Sequence, residues 1–322
     1  MRKTHRPFAG VAAAGLALAL ALAGCASDTN TGADGDSKAA GGSISEQYDL
    51  AGQTFVVGSK EFTENKILGQ ITIAAIQAAG GTAEDKTGIS GTATVRAALT
   101  SGEIDMYWDY TGTGWVNILG NTTTDLPDDL FKAVKDADAA NKVVWIGPSP
   151  LNNSYGLAVK KDLADQEGLK TMSDLAEYIK ANPSDAKICA ASEFIQRDDG
   201  LQGVEKAYGV KFSVVELDMN LIYPQVGKQC VVGEITTTDA RIQSNDLFSL
   251  EDDKKFFVPY NAALTVRSDV AEANPDLDKL FTEIAEALDN ETMIVLNGKV
   301  DVDGEREADV AKDWLREKGF IE

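Results

Sequence analysis

The stretch SGEIDMYWDYTGTGW, residues 101–115, places Tyr107, Trp108, Tyr110 and Trp115 within nine positions. Asp105, Asp109, Thr111 and Thr113 sit among them, and Gly102, Gly112 and Gly114 predict turns. Only 7% of the chain is aromatic, so this density is unusual. The pattern predicts a strand over 104–108, a Gly-rich turn and a helix over 115–119. Two readings compete for it. One is a local aromatic core; the other is a binding loop that offers ring faces and hydroxyls to a small ligand.

On the N-terminal side, 53–58 predicts a strand, 59–63 a polar turn and 64–79 a helix. Ile67, Leu68, Ile71, Ala75 and Ala78 keep helical spacing there, Gly80 and Gly81 end it, and Thr63 is the candidate N-cap. A second helix is predicted over 92–100. On the C-terminal side, helices are expected over 126–140, 200–208, 277–288, 291–297 and 308–318, and another runs to 180 with Ser173 as its cap. Strands are expected over 142–146, 186–190, 212–216, 231–238 and 256–266, and 152–159 reads as a polar loop feeding a strand. Alternating strands and helices predict parallel sheets with helical cover. There are enough elements for two α/β lobes joined by strand crossovers.

Residues 1–24 carry Arg2, Lys3 and Arg6 ahead of an apolar run that is too short to span a bilayer, which describes a secretory signal. The run ends in Leu22, Ala23, Gly24 and Cys25, which matches the bacterial lipobox and implies cleavage before Cys25 and lipidation of that cysteine. Residues 25–51 read as the lipidated cysteine and a flexible polar tether. The expected location is therefore the extracytoplasmic face of the cell membrane. Loss of 1–24 removes three bases, no acid and His5, the single histidine, and moves the net charge from −21 to −24. Two cysteines remain, Cys189 and Cys230. Even count and an oxidising compartment favour a disulfide over two buried thiols, worth roughly 4 kcal/mol by loop entropy.

The charge argues against nucleic acid and against electrostatic attachment to anionic lipid. Without a histidine in the mature chain, Ser-His-Asp and Cys-His triads are excluded. No His/Cys metal cluster, Gly-x-Gly-x-x-Gly or P-loop is present in the sequence. No enzyme activity and no cofactor are expected. The run 251–255, with three acids and two lysines, reads as a solvated turn.

Six segments in order resemble one family. They are 58–64 (GSKEFTE), 102–113 (GEIDMYWDYTGT), 152–155 (NNSY), 197–201 (RDDGL), 238–242 (TDARI) and 252–260 (DDKKFFVPY). Together they are similar to the glycine betaine/choline-binding proteins of ABC importers, over about 52–321. The resemblance implies a two-lobed α/β periplasmic-binding-protein fold of type II with hinge crossovers. Lobe I would comprise 52–152 and 260–322, and lobe II 153–259. It implies an aromatic cage between the lobes for a quaternary ammonium group such as that of glycine betaine, choline or carnitine. A quaternary ammonium has no N–H to donate, so ring faces hold it by cation–π attraction. By position, Tyr110, Tyr155 and Tyr260 are the cage candidates, and Thr113, Asn153, Arg197 and Lys60 are the polar ones. Tyr223 reads as packing and Trp108 as a weaker cage candidate. The implied partners are a permease and its ATPase, with the protein itself a monomer. Departures occur at Thr236, where the family often has an aromatic, and at Asn261, Ala240 and the pair Trp108–Asp109; Thr236 stays a ligand-binding candidate. Alternative readings are a ligand-sensing lipoprotein of the same fold, or a binder of ergothioneine or an amino acid.

Overall fold

The computed structural model describes residues 42–322. The signal segment, Cys25 and most of the expected tether lie outside the described residues. Ten strands are numbered in chain order: β1 (Thr54–Lys60), β2 (Thr82–Ile89), β3 (Met106–Tyr110), β4 (Val143–Ile146), β5 (Tyr155–Lys160), β6 (Lys187–Ala190), β7 (Ser213–Glu216), β8 (Val232–Thr236), β9 (Leu247–Ser249) and β10 (Ala262–Arg267). They form two five-stranded sheets, ordered β2-β1-β3-β10-β4 and β7-β6-β8-β5-β9.

The sheets are mixed rather than parallel. In the first, β1 runs parallel to β2 and β3, while β10 runs antiparallel to β3 and β4. The second repeats the pattern, with β6 parallel to β7 and β8, and β5 antiparallel to β8 and β9. The two reversed strands, β5 and β10, are those by which the chain enters the second sheet and returns to the first. Alternation of strands and helices cannot reveal this, because a strand's direction in the sheet depends on where the chain came from.

The crossovers lie side by side. Asn152 bridges Asn261 in antiparallel fashion, the Asn153 N–H donates to the Tyr260 carbonyl (3.1 Å), and Asn152 Oδ1 accepts from the Tyr260 N–H (2.7 Å). Asn261 donates from Nδ2 to the Ser149 carbonyl (3.1 Å), so this departure from the family pattern serves the hinge. The expected strand over 256–266 is a strand only from Ala262, because the residues before it form the return crossover.

Local chemistry sets the remaining elements. The helix Thr63–Ala78 buries Ile67, Leu68, Ile71 and Ala75 and packs on β1, β2 and the helix Glu307–Glu317. Its N-cap is Phe62, not Thr63, whose hydroxyl donates instead to Asp301 Oδ1 (2.6 Å). The helix Met172–Ala181 is capped not by Ser173 but by Thr171, in a capping box with Asp174. Ser173 donates to Asp253 Oδ2 (2.6 Å), and Asp252 accepts from the Phe257 N–H (2.8 Å), so the charge run is a tied corner rather than a merely solvated turn. The tether is shorter than expected. Ser43–Gln47 is a helix whose Ile44 is buried, and the Ser43 and Ile44 N–H groups donate to the Gly319 and Phe320 carbonyls (3.1 Å each). Tyr48 and Leu50 are buried as well; the Leu50 N–H donates to the Ala79 carbonyl (2.7 Å), and Lys279 Nζ lies 5.6 Å from the Tyr48 ring centre.

Candidate ligand-binding cleft

β3 carries the aromatic stretch, and all five of its residues are buried. Period-2 alternation sends Tyr107 and Trp108 to opposite faces. Trp108 Nε1 donates to Thr72 Oγ1 (2.8 Å) on the helix behind the sheet, so Trp108 is core and not a cage wall. The Tyr107 hydroxyl donates to Asp109 Oδ2 (2.6 Å), and Lys60 Nζ lies 2.9 Å from Asp109 Oδ1. Thr111–Thr113 is a helical turn that runs into a π-helical turn, Gly114–Ile118. The glycines here serve close packing more than turning. A Cβ on Gly112 would lie 2.6 Å from Tyr260 ring carbons, and one on Gly114 2.9 Å from the Trp145 ring. Gly112 thereby seats Tyr260 against the end of β3.

A cavity of about 640 Å³ opens between the two sheets at the carboxyl ends of parallel strands. Lys60 ends β1, Tyr110 ends β3, Ala191 follows β6, and Glu234 and Thr236 lie on β8. Such strand ends are where open α/β sheets bind ligands, because strand order reverses there and leaves a crevice.

Seven of the eight expected ligand-binding residues line this cavity: Tyr110, Tyr155, Tyr260, Thr113, Asn153, Lys60 and Thr236. Tyr155 meets Tyr260 edge-on, with ring centroids 5.6 Å apart at 88°. Phe194 stands behind Tyr155 at 5.1 Å, and Phe257 at 6.3 Å. On the facing side Phe62 and Tyr110 stack with centroids 6.2 Å apart, and Phe62 also lines the cavity. Phe62 was not among the expected residues; its signal is an apolar residue alone between Glu61 and Thr63 in an otherwise polar turn.

Arg197 is placed elsewhere. Its buried guanidinium lies 5.2 Å from the Tyr155 ring centre and lines a neighbouring cavity of about 500 Å³. Its donors are engaged within the protein: Nε and Nη2 hold Asp199 (2.8 and 2.6 Å), Nη1 holds Glu193 (2.9 Å), and Nη2 reaches Thr113 Oγ1 (3.5 Å). Asp199 also accepts from the Tyr260 hydroxyl (2.6 Å) and from Asn117 (3.0 Å). Arg197 thus supports the Tyr155 ring directly and the Tyr260 hydroxyl through Asp199. Tyr223 is buried, accepts from the Thr236 N–H (3.2 Å) and stacks under Arg241, as packing requires.

Four carboxyls give the cleft its electrostatics. Glu64 is buried and accepts from Tyr110 (2.8 Å), Asn153 (2.9 Å), Thr238 (2.5 Å) and Asn297 (3.3 Å). Burial raises its pKa, against these four donors. Burial also works against ionisation of Glu193 and Asp199. For Glu193 it is outweighed by Lys60, Arg197 and Thr92, and for Asp199 chiefly by Arg197, so both carboxyls lie below their ordinary values. Glu234 is different: burial pushes it up to about 8, and the Ala191 N–H (2.7 Å) only partly opposes this. Contacts between the two halves across the cleft include Thr92 to Glu193 (2.6 Å), Asn117 to Asp199 (3.0 Å) and Arg197 to Thr113 (3.5 Å). The second sheet also holds a Cys189–Cys230 disulfide, S–S 2.06 Å. Among the described residues there is no metal-type cluster of His, Cys, Asp and Glu, and no helix long and apolar enough to cross a membrane.

The substrate binding domain of the ABC-type glycine betaine transport system, as a family, matches residues 53–317. The chain belongs to this family. It is 35% identical over 281 residues to the glycine-betaine-binding protein of Pseudomonas aeruginosa, covering 84% of this chain and 89% of that one. It is 34% identical over 269 residues to the ergothioneine transport permease/ergothioneine binding protein EgtU of Helicobacter pylori, covering 82% of this chain and 48% of that longer one. The structure of apo YehZ from Escherichia coli superposes with a TM-score of 0.60 at 30% identity, over 83% of this chain and 99% of that one. The fold is therefore the two-lobed, type II periplasmic-binding-protein fold, with β5 and β10 each following a crossover. The family's members are substrate binding domains of ABC-type transport systems.

Proposed function

We infer that this protein captures a quaternary ammonium compound between its lobes and hands it to a membrane permease driven by an ATPase. The observation that carries the reading is the lining of one cavity by Phe62 and Tyr110 on one side and Tyr155 and Tyr260 on the other. Four ring faces around a site whose Lys60 is already paired with Asp109 suit a cation that cannot donate a hydrogen bond. Asn153, Thr113 and Thr236 are the polar groups for the ligand's other end. Glycine betaine, choline and carnitine are the candidate ligands. Ergothioneine joins them because one relative carries that name and because the cavity has room beyond a trimethylammonium head.

Lobe I in this reading is 52–152 with 260–322, and lobe II is 153–259. Closure is a hinge motion about the paired crossovers, stabilised by ligand contacts to both lobes. The protein is a monomer, exported by its first 24 residues and held at the extracytoplasmic face of the membrane by a lipid on Cys25. It makes no bond in its ligand and needs no cofactor.

Tyr155→Ala is expected to weaken binding at least about tenfold, the value of one desolvated cation–π wall, while Tyr155→Phe stays within a few-fold because it keeps the ring. Calorimetric titration of the purified variants with the four candidate ligands tests this. Equal affinity of wild type and Tyr155→Ala for every ligand bound would refute the cage.

A further inference from the structure

The cavity wall holds a carboxyl that neither the cage nor the fold uses. Glu234 lies on β8, between Gly233 and Ile235, with only 1% of its surface exposed, and it lines the ligand cavity. Its Oε2 accepts one bond, from the Ala191 N–H at 2.7 Å, and among the described residues it has no ion-pair partner. Among the described residues its other oxygen accepts no hydrogen bond, and that oxygen is not sealed from solvent. A buried carboxyl in that position is costly to ionise in the empty protein, because charge in a low-dielectric site is poorly solvated.

The charged and titratable groups around it do not relieve this. From β5 comes Tyr155, a neutral phenol whose own ionisation burial opposes. From the helix after β6 comes Glu193, which repels a second negative charge. Arg197 attracts, but its guanidinium is bonded to Asp199 and Glu193. Glu216, at the end of β7, is exposed, and Tyr223 turns its hydroxyl to the Thr236 N–H. Across the cavity, Lys60 is paired with Asp109. The missing partner is therefore a cation that arrives from outside.

The geometry points to Glu234 as the counter-ion of the bound quaternary ammonium group, protonated in the empty cleft and ionised when the ligand seats against it. The step balances simply: the O–H bond of the Glu234 carboxylic acid breaks, its proton passes to solvent and buffer, and the carboxylate faces the fixed positive charge of the ligand. This assignment rests on the quaternary-ammonium reading above and adds to it a residue that the aromatic cage does not contain.

Burial pushes the free Glu234 carboxyl up to about 8. Affinity then rises with pH toward that value and levels off above it, because the proton cost of binding disappears once the free carboxyl is ionised. The test is calorimetric titration of the full chain and of Glu234→Gln with glycine betaine, choline and ergothioneine. It is run at pH 6, 7 and 8, and at each pH in two buffers of different ionisation enthalpy. The glutamine keeps the acceptor for the Ala191 N–H, so the fold is maintained. For any ligand that binds, wild type is expected to release a fraction of a proton approaching one at pH 6–7, and to bind about tenfold or more tightly at pH 8 than at pH 6. Glu234→Gln is expected to release none and to lose the pH dependence, with its largest affinity deficit at pH 8. Buffer-independent heats in wild type, or the same pH profile in Glu234→Gln, would overturn the assignment and leave the quaternary-ammonium reading standing. Failure of all three ligands to bind wild type would overturn both.

Discussion

Glu64→Ala is expected to lower the stability of the protein by about 3–5 kcal/mol and to abolish measurable ligand binding. The Glu64 carboxyl gathers Tyr110, Asn153, Thr238 and Asn297, donors from the first sheet, the outgoing crossover, the end of β8 and the helix Asn290–Asp301. Removing it strands four buried donors, and each unsatisfied donor costs about 1–3 kcal/mol less whatever water and rearrangement recover. Two of the four, Tyr110 and Asn153, line the ligand cavity, so the damage reaches the site directly. Urea unfolding measures the stability loss and calorimetry the binding. Glu64→Gln should lose much less, because one acceptor oxygen remains and the Tyr110 and Thr238 hydroxyls can turn. The sign of its pH dependence follows from burial. The folded-state pKa of Glu64 is raised, so its stabilising contribution is full below the unfolded carboxyl value of about 4.3 and is lost as pH rises through the folded value. The stability gap between wild type and Glu64→Gln should therefore narrow as pH rises. A Glu64→Ala protein as stable as wild type would remove the hub from the account.

Arg197→Ala is expected to cost about 3–5 kcal/mol, the usual result of removing one partner from a buried ion pair. Asp199, fully buried, keeps only Tyr260 and Asn117, and Glu193 keeps Thr92. Arg197→Lys should recover only part of the loss, since an ammonium cannot reproduce the fork that holds both Asp199 oxygens. Here the sign is opposite to that of Glu64. Asp199 has a depressed pKa in the fold, so its contribution is present above the unfolded value of about 3.9 and is lost as pH falls through the folded value. In Arg197→Ala that depression is gone and Asp199 protonates readily. The stability difference from wild type should be largest near neutrality and shrink toward pH 4. Ligand affinity should fall as well, because Tyr155 and Tyr260 lose their common support; a variant with unchanged affinity would show that Arg197 does not position the rings.

Much of the site was legible because its residues sit at strand ends flanked by polar turns. Tyr110 with Thr113, Asn153 with Tyr155, and Tyr260 each follow that pattern, and all reach one cavity. Trp108 shows the limit of the signal: it is one residue from Tyr110, and strand alternation alone sends it to the core, where it bonds to Thr72. Glu234 was hidden by composition, since a single carboxylate carries no information among 51 acids. Arg197 reads equally well from the sequence as a polar ligand-binding residue or as a partner of the acids beside it, and only distances put its donors on Asp199 and Glu193. β2, Thr82–Ile89, was missed because an exposed edge strand rich in charge lacks the apolar alternation that marks a strand. The order of residues 43 and 44 was missed because it depends on the Gly319 and Phe320 carbonyls, some 275 positions away in sequence. Strand order and the reversal of β5 and β10 depend likewise on crossovers, which no local pattern records.

The central claim is that ring faces hold a fixed positive charge. Its most direct test is calorimetric titration of wild type with choline and glycine betaine beside their neutral-headed isosteres, 3,3-dimethylbutan-1-ol and 3,3-dimethylbutanoate, in which carbon replaces the quaternary nitrogen. Shape and apolar area are the same in each pair, so any difference reports the charge. At least one quaternary compound is expected to bind, with its isostere weaker by about 30-fold or more, as roughly 2 kcal/mol of desolvated cation–π attraction requires. Equal binding of an ammonium compound and its isostere, or no binding of either quaternary compound or of carnitine and ergothioneine, would contradict it.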